Sequence, residues 1–380
     1  MAPVDDGERR ARVVMSKVAE PGDPDACRLV RDYTAVELLR RLRSGTHMPS
    51  RKAAGWAGRA CVAAYDDLAR AADGVGARYI CPGDDDWQSA LDDLVRLEDE
   101  AGERRAGAPF GLWVRGEGSL SDLSRRCLAI VGSRASTAYG EHVSSGLASA
   151  SAQHGFVIVS GGAYGIDAAA HRAALARSSA TVAVLAGGVD RLYPAGNTRL
   201  LERIAEHSLL VSEAAPGCAP SRSRFLVRNR LIAALGQGTV VVEAALRSGA
   251  LNTARWALDL GRAVMGVPGP VTSMASGGVH ELLRQPGTLL VTDALEVIEH
   301  VSPAGQGLAP RKQGVVHEVD LLDQVSRRVL DATPAFTPVG ADSIALTAGL
   351  SPCEAAARLA VLKGAGLVVQ VVDGWTLAPR

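Results

Sequence analysis

Short aliphatic, β-branched runs followed by longer stretches with a one-faced apolar pattern dominate the middle of the chain. The runs are Leu128 to Val131, Val157 to Val159, Thr181 to Leu185, Leu209 to Ser212, Thr239 to Val242 and Ala263 to Val267. Strand-length apolar runs alternating with helical patterns predict a parallel sheet covered on both faces, hence an α/β fold with a doubly wound parallel sheet. Most runs end in glycine, a small polar residue or a charge: Gly132-Ser133-Arg134, Ser160-Gly161-Gly162, Gly187-Gly188, Glu213, Glu243 and Pro268-Gly269. The unusual residues therefore collect beyond the carboxyl ends of the strands, where ligands bind in open α/β sheets.

The flanks read differently. Residues 1–106 predict an N-terminal helical domain, with amphipathic segments over Arg9 to Val18, Asp25 to Arg31, Ala35 to Arg43 and Arg59 to Ala72. A brief strand, Ala77 to Cys81, precedes an acidic turn, Asp84-Asp85-Asp86. Consecutive acids point in different directions, so a solvated turn explains them better than a metal site. A charged helix over Gln88 to Arg105 and a strand over Leu112 to Arg115 lead into the core at 107–301. Residues 302–317, rich in Pro, Gly and Gln, read as a linker. Residues 318–380 predict helices over Val319 to Ala332, Ala341 to Ala348 and Ser351 to Lys363, then a hairpin turning at Asp373-Gly374. Ser351 with Pro352 and Glu354 forms an N-terminal capping signal. Helix, helix, helix, hairpin is the winged-helix order. Its third helix offers only Arg358 and Lys363 as cations against Glu354, which favours packing or partner contact over direct DNA reading.

Composition narrows the function. The chain has 380 residues, 47% of them hydrophobic, enough for two or three domains with a sizeable core. Lys+Arg and Asp+Glu are each 41, so an anionic partner must be met by a local patch. Aromatics at 4% argue against a nucleic-acid site built mainly from stacking platforms. The six cysteines have no paired metal spacing and read as reduced thiols. No apolar run reaches membrane-spanning length and the N-terminus lacks a signal-peptide core, which together predict a cytoplasmic protein without a membrane partner.

Four stretches carry candidate chemistry. Gly132-Ser133-Arg134, at a strand-to-helix turn, offers backbone amides and a guanidinium to a phosphate. The loop Ser160 to Asp167 places Gly161, Gly162 and Gly165 near the same edge, but departs from the dinucleotide fingerprint, so no nucleotide cofactor is expected. Asp167 reads as a capping acid in a first helical turn, and His171 as a packed histidine. Arg222, Arg224, Arg228 and Arg230 fall in SRSRFLVRNR, with no acid between Glu213 and Glu243. With a helix starting near Phe225, Arg228 and Asn229 would reach the sheet's carboxyl edge, where separate guanidiniums suit a nucleic-acid backbone. In the last stretch, Glu243 is either a general base or a partner that orients an arginine. Ser248-Gly249 before a helix is a further amide site for phosphate. No set of residues builds a nucleophile or a metal centre, so neither catalysis nor a cofactor is expected.

Taken together, VGSR, SGGAYGIDAAAH, VLAGGVDRLYPAGN, FLVRNRLIAAL, VVVEAALRSGALNTARWALDLGR and VMGVPGP resemble the DprA/Smf family of DNA-processing proteins. The flanks ARYICPGDDDW and GLWVRG resemble its lead-in. The resemblance implies an extended Rossmann-like core between a SAM-like helical domain and a winged helix. It also implies a homodimer without catalytic activity that binds single-stranded DNA, protects it, and loads a RecA-type recombinase in natural transformation and homologous recombination. Arg134, Arg228 and Arg230 would then be phosphate contacts, with Gly161, Gly162 and Gly165 shaping the pocket. Gly132, Ser133, Arg224, Asn229, Ser248 and Gly249 complete the expected DNA site. Two places depart from the family: Tyr164 stands where a basic residue is usual, and Arg224-Phe225-Leu226-Val227 replaces Asn-Phe-Pro-Arg. The late core, Ala263 to Val301, is apolar enough to offer a dimer interface. The rival class is a nucleotide phosphoribohydrolase of the lysine-decarboxylase-like group. Its Pro-Gly-Gly-x-Gly-Thr-x-x-Glu motif is matched only by Gly236-Gln237-Gly238-Thr239, with Glu243 one residue late. A protein-interaction scaffold is the third reading, for which the arginines would be surplus.

Overall fold

A computed structural model describes residues 4–46, 50–101, 106–310, 312, 314 and 317–379. It separates into two compact units, Met1–Ala309 and Pro310–Arg380. The boundary expected at 106 therefore falls inside the first unit.

The reason is the sheet. In chain order its strands are β1 (Ala77–Ile80), β2 (Leu112–Arg115), β3 (Cys127–Val131), β4 (Val157–Ser160), β5 (Thr181–Val184), β6 (Leu209–Ser212), β7 (Gly238–Val241), β8 (Ala263–Gly266) and β9 (Thr288–Leu290). They lie in the order β1-β2-β6-β5-β4-β3-β7-β8-β9. From β6 to β9 all neighbours are parallel, and β1 and β2 extend the sheet antiparallel beside β6. The chain winds outward in one direction from β3 to β6, then returns to add β7 to β9 on the other side. That is the doubly wound arrangement expected from the alternating pattern.

Successive residues of β3 enter different cores. Leu128 and Ile130 pack with Leu147, Ile166 and Ile298 on one face. Ala129 and Val131 pack with Leu231, Ala254 and Trp256 on the other. Two buried faces leave no room for polar side chains along the central strands, which is why those strands read as continuous apolar runs.

Some expected elements divide. The helix expected over Arg59 to Ala72 is two, Ala53–Val62 and Tyr65–Asp73, with Ala63 and Ala64 extended between them. Arg43 donates to the carbonyls of Ala60 at 3.0 Å and Ala63 at 3.4 Å, stabilising the first helix's exposed end. Gln88 to Arg105 becomes a 3₁₀ turn, Ser89–Asp92, and a helix, Asp93–Ala101; residues 102–105 lie outside the described residues. The acidic turn is spent on ion pairs. Asp84 holds Arg9 at 2.7 Å and Asp86 holds Arg78 at 2.8 Å.

The second unit has helices Gln324–Ala332, Ala341–Ala348 and Pro352–Gly364, then the hairpin of β10 (Val368–Val371) and β11 (Gly374–Leu377). The winged-helix order is present, around Val329, Ile344, Leu359 and Leu362. Its first helix is shorter than expected. Asp323 accepts hydrogen bonds from Val325 and Ser326 amides and starts the helix afresh after a 3₁₀ turn, Glu318–Leu321. Ser351 and Glu354 form the expected capping box. Among the described residues no single helix is long and apolar enough to cross a membrane.

Candidate nucleic-acid interface

β3 lies between β4 and β7, so the connections leaving β3 and β7 run to opposite faces. At this switch point the carboxyl edge opens into a cavity of about 820 Å³. Its walls are residues 131–135 at the end of β3, Ala163 and Asp167 after β4, Tyr193, one face of the helix Arg222–Leu235, and Ala245 with residues 247–250 after β7.

The first wall is held from beneath by Glu243. Its carbonyl accepts from the Ser133 amide at 2.7 Å, and its carboxylate accepts from the Thr137 amide at 2.9 Å and hydroxyl at 2.5 Å. Glu243 is 1% exposed and absent from the cavity wall. It is thus neither a positioned base nor an arginine partner, but the anchor of the loop that carries Arg134. That arginine is exposed on the cavity wall, its guanidinium 4.6 Å from the Phe225 ring centroid.

The second glycine loop abuts the first. Gly165 has φ +75°, and a Cβ there would come within 2.3 Å of the Ser133 carbonyl. At Gly161 a Cβ would lie 2.6 Å from the Arg228 guanidinium. Gly161 also donates its amide to Asp167 at 3.1 Å, so this acid ties down the loop before its helix instead of capping the helix's own amides. Gly162 lies beside it with φ +66°.

Arg228 forms the floor. It is 6% exposed and donates to the carbonyls of Gly161, at 2.8 Å, and Val184. Burial pulls its pKa down to about 10, with Asp167 opposing and Arg134 adding to the shift; the guanidinium stays charged at neutral pH. Burial likewise raises Asp167, against the pull of Arg228 and the loop amides. His171, fully buried, meets the Thr181 hydroxyl at 2.7 Å through Nδ1, and burial pushes its pKa down to about 3. It is a packed, neutral histidine.

Two expected contacts are elsewhere. Arg230 is 0% exposed, donates to the Gly107 carbonyl at 2.8 Å and pairs with Glu213 at 2.8 Å. Two residues along a helix turn the side chain by roughly 200°, so Arg228 and Arg230 cannot share one face. Arg224 pairs with Glu20 at 2.8 Å and lies outside the cavity wall. The arginine run has compensating acids after all, supplied from outside its window.

Asn229, Ser248 and Gly249 do reach the wall; Asn229 donates to the Gly249 carbonyl at 3.2 Å and joins the helix to the loop after β7. Arg222, named in the arginine run, is exposed on the wall, and so is Arg247, to which the sequence reading gives no role. Arg247 was findable, since it immediately precedes Ser248-Gly249 at a helix start. The wall also holds two aromatic rings despite the low aromatic content: Tyr193 and Phe225, with centroids 5.7 Å apart and tilted by 53°. Tyr164 lies off the wall, its hydroxyl accepting from the Gly196 amide at 3.1 Å.

A doubly wound sheet whose switch-point cavity is lined by arginines and glycine-loop residues defines a Rossmann-type fold. The chain belongs to the family described as DNA recombination-mediator protein A, which matches residues 78–302. It is 46% identical over 371 residues to the putative DNA processing protein DprA of Mycobacterium tuberculosis, covering 95% of this chain and 92% of that protein. Its fold is similar to the X-ray structure of DNA processing protein A from Streptococcus pneumoniae. The TM-score there is 0.63 at 29% identity, covering 78% of this chain and 98% of that one. A DNA processing protein A from Helicobacter pylori, described for its single-stranded DNA binding mode, matches with TM-score 0.50 at 28% identity. That match covers 58% of this chain and 94% of the other.

Proposed function

We propose that this chain is a single-stranded DNA-binding protein of recombination, with the strand's phosphates held in the switch-point cavity. One observation carries the reading: Arg134, Arg222, Arg228 and Arg247 converge on one cavity whose wall includes a single acid, Asp167. Several guanidiniums spaced around a wide cavity match a chain of phosphates better than one small anion. A role in protecting such strands and delivering them to a RecA-type recombinase in the cytoplasm is the reading that membership of a recombination-mediator family supports. Action by binding and not by turnover is supported by Glu243, whose carboxylate is engaged by Thr137 beneath the loop. A homodimer is supported by apolar residues of the late core that stand open, Val271 at 89% and Met274 at 87% exposed.

The test is a salt titration of binding to single- and double-stranded DNA. Single strands should bind more tightly, with little sequence preference. Arg134→Ala or Arg247→Ala should each flatten the log–log salt slope by about 0.7, one phosphate contact's worth. A flat salt response by the unaltered protein, or a preference for duplex, would refute the reading.

A further inference from the structure

Phe225 and Tyr193 form an aromatic pair at the cavity, but they are not equally available. Phe225 is half-buried and its ring is already engaged: the Arg134 guanidinium lies 4.6 Å from its centroid and that of Arg228 5.9 Å away. Tyr193 is 49% exposed. It lines the arginine cavity and also a second, shallower concavity of about 500 Å³. The ring therefore stands on the ridge between two hollows.

We infer that Tyr193 is a base-stacking residue: an unpaired base of single-stranded DNA lies on its ring while the adjoining phosphates enter the arginine cavity. This rests on the proposed DNA-binding function. Charge decides the direction of the backbone. The cavity side offers Arg134, Arg222 and Arg247, whereas the second hollow mixes Arg115 and Arg191 with Asp190 and Glu202. The ring is held in advance. Phe225 meets it at a 53° tilt, and the Asn197 side chain, four residues on, ties the segment to the Gly162 and Ala163 carbonyls at 3.0 Å each. A ring fixed before binding loses little freedom when a base settles on it. Stacking also suits a strand without fixed sequence, because every base has a π-face. A duplex, with its bases already stacked, has no free face to offer. The ridge thus discriminates by strandedness, which the arginines alone do not.

The experiment compares a short oligothymidylate with a strand of equal length and charge in which abasic sites replace the bases, across a salt series. The unaltered protein should bind the abasic strand about 5- to 150-fold more weakly, with an unchanged salt slope. Tyr193→Ala should lose a similar factor on the oligothymidylate and little on the abasic strand. Tyr193→Phe, which restores the ring, should restore affinity. Equal binding of both strands by the unaltered protein would overturn the inference. So would a Tyr193→Ala variant that binds oligothymidylate normally, or one whose loss appears as a flatter salt slope. Failure of the unaltered protein to bind either strand is a distinct result, and would overturn the DNA-binding function itself.

Discussion

Replacing Arg230 separates a phosphate contact from a structural ion pair. The side chain is fully buried, and its partner Glu213 is 4% exposed. Glu213 also accepts from the Gly22 amide at 3.0 Å, so this pair fastens the N-terminal segment to the sheet. Arg230→Ala strands a buried carboxylate and removes the donor to Gly107, a loss on the order of 3–5 kcal/mol. Against a typical stability of about 5–15 kcal/mol, that is a large fraction of the fold's margin. Urea unfolding should show the midpoint falling sharply. Arg230→Met with Glu213→Leu should recover part of the loss, because no charge is then left unpaired. Recovery should be incomplete, since the Gly22 amide loses its acceptor at a cost of about 1–3 kcal/mol. In contrast, the fraction of Arg230→Ala that remains folded should keep the full salt slope for single-stranded DNA. A variant as stable as the unaltered protein, with the slope reduced by about 0.7, would restore Arg230 to the DNA site and refute the reasoning.

Two other outcomes follow from the structure. His171 binds its proton with a pKa of about 3 when folded against about 6.5 when unfolded, so the unfolded state takes up the extra proton as pH falls below about 6.5. Stability should drop between pH 6.5 and 3 with an uptake approaching one proton more than in His171→Asn, and equal pH slopes for the two proteins would exclude this. Sedimentation should show a dimer at micromolar concentration that dissociates when Val271 and Met274 are both changed to Asp; a monomer throughout would count against the proposed interface.

The strand runs and their glycine-rich ends were legible because burial on both faces and turn geometry leave local signatures. Gly132, Ser133 and Asn229 lie on the cavity wall, whereas Gly161, Gly162 and Gly165 lie behind it. What could not be read is pairing across distance. Glu20 lies 204 residues from Arg224, and Glu213 lies 17 residues from Arg230 on another element, so the run looked more basic than it is. The helix period alone separates Arg228 from Arg230, because two residues along a helix point to nearly opposite sides. Glu243 was singled out rightly, but its acceptor role toward Thr137 spans 106 residues and leaves no local trace. Tyr193 was hidden by an average: a low aromatic share says nothing about where the few rings sit.

The antiparallel edge has a consequence for synthesis. β2 pairs with β6 through Trp113 and Ser212, so the antiparallel β1–β2 pair is made about a hundred residues before the strand that receives it. During that interval the ribosome-bound chain presents an unfilled sheet edge, a template for unwanted pairing. Both strands are only four residues long, and each carries an arginine, Arg78 and Arg115. Short length and edge charge are features that discourage a waiting strand from finding the wrong neighbour.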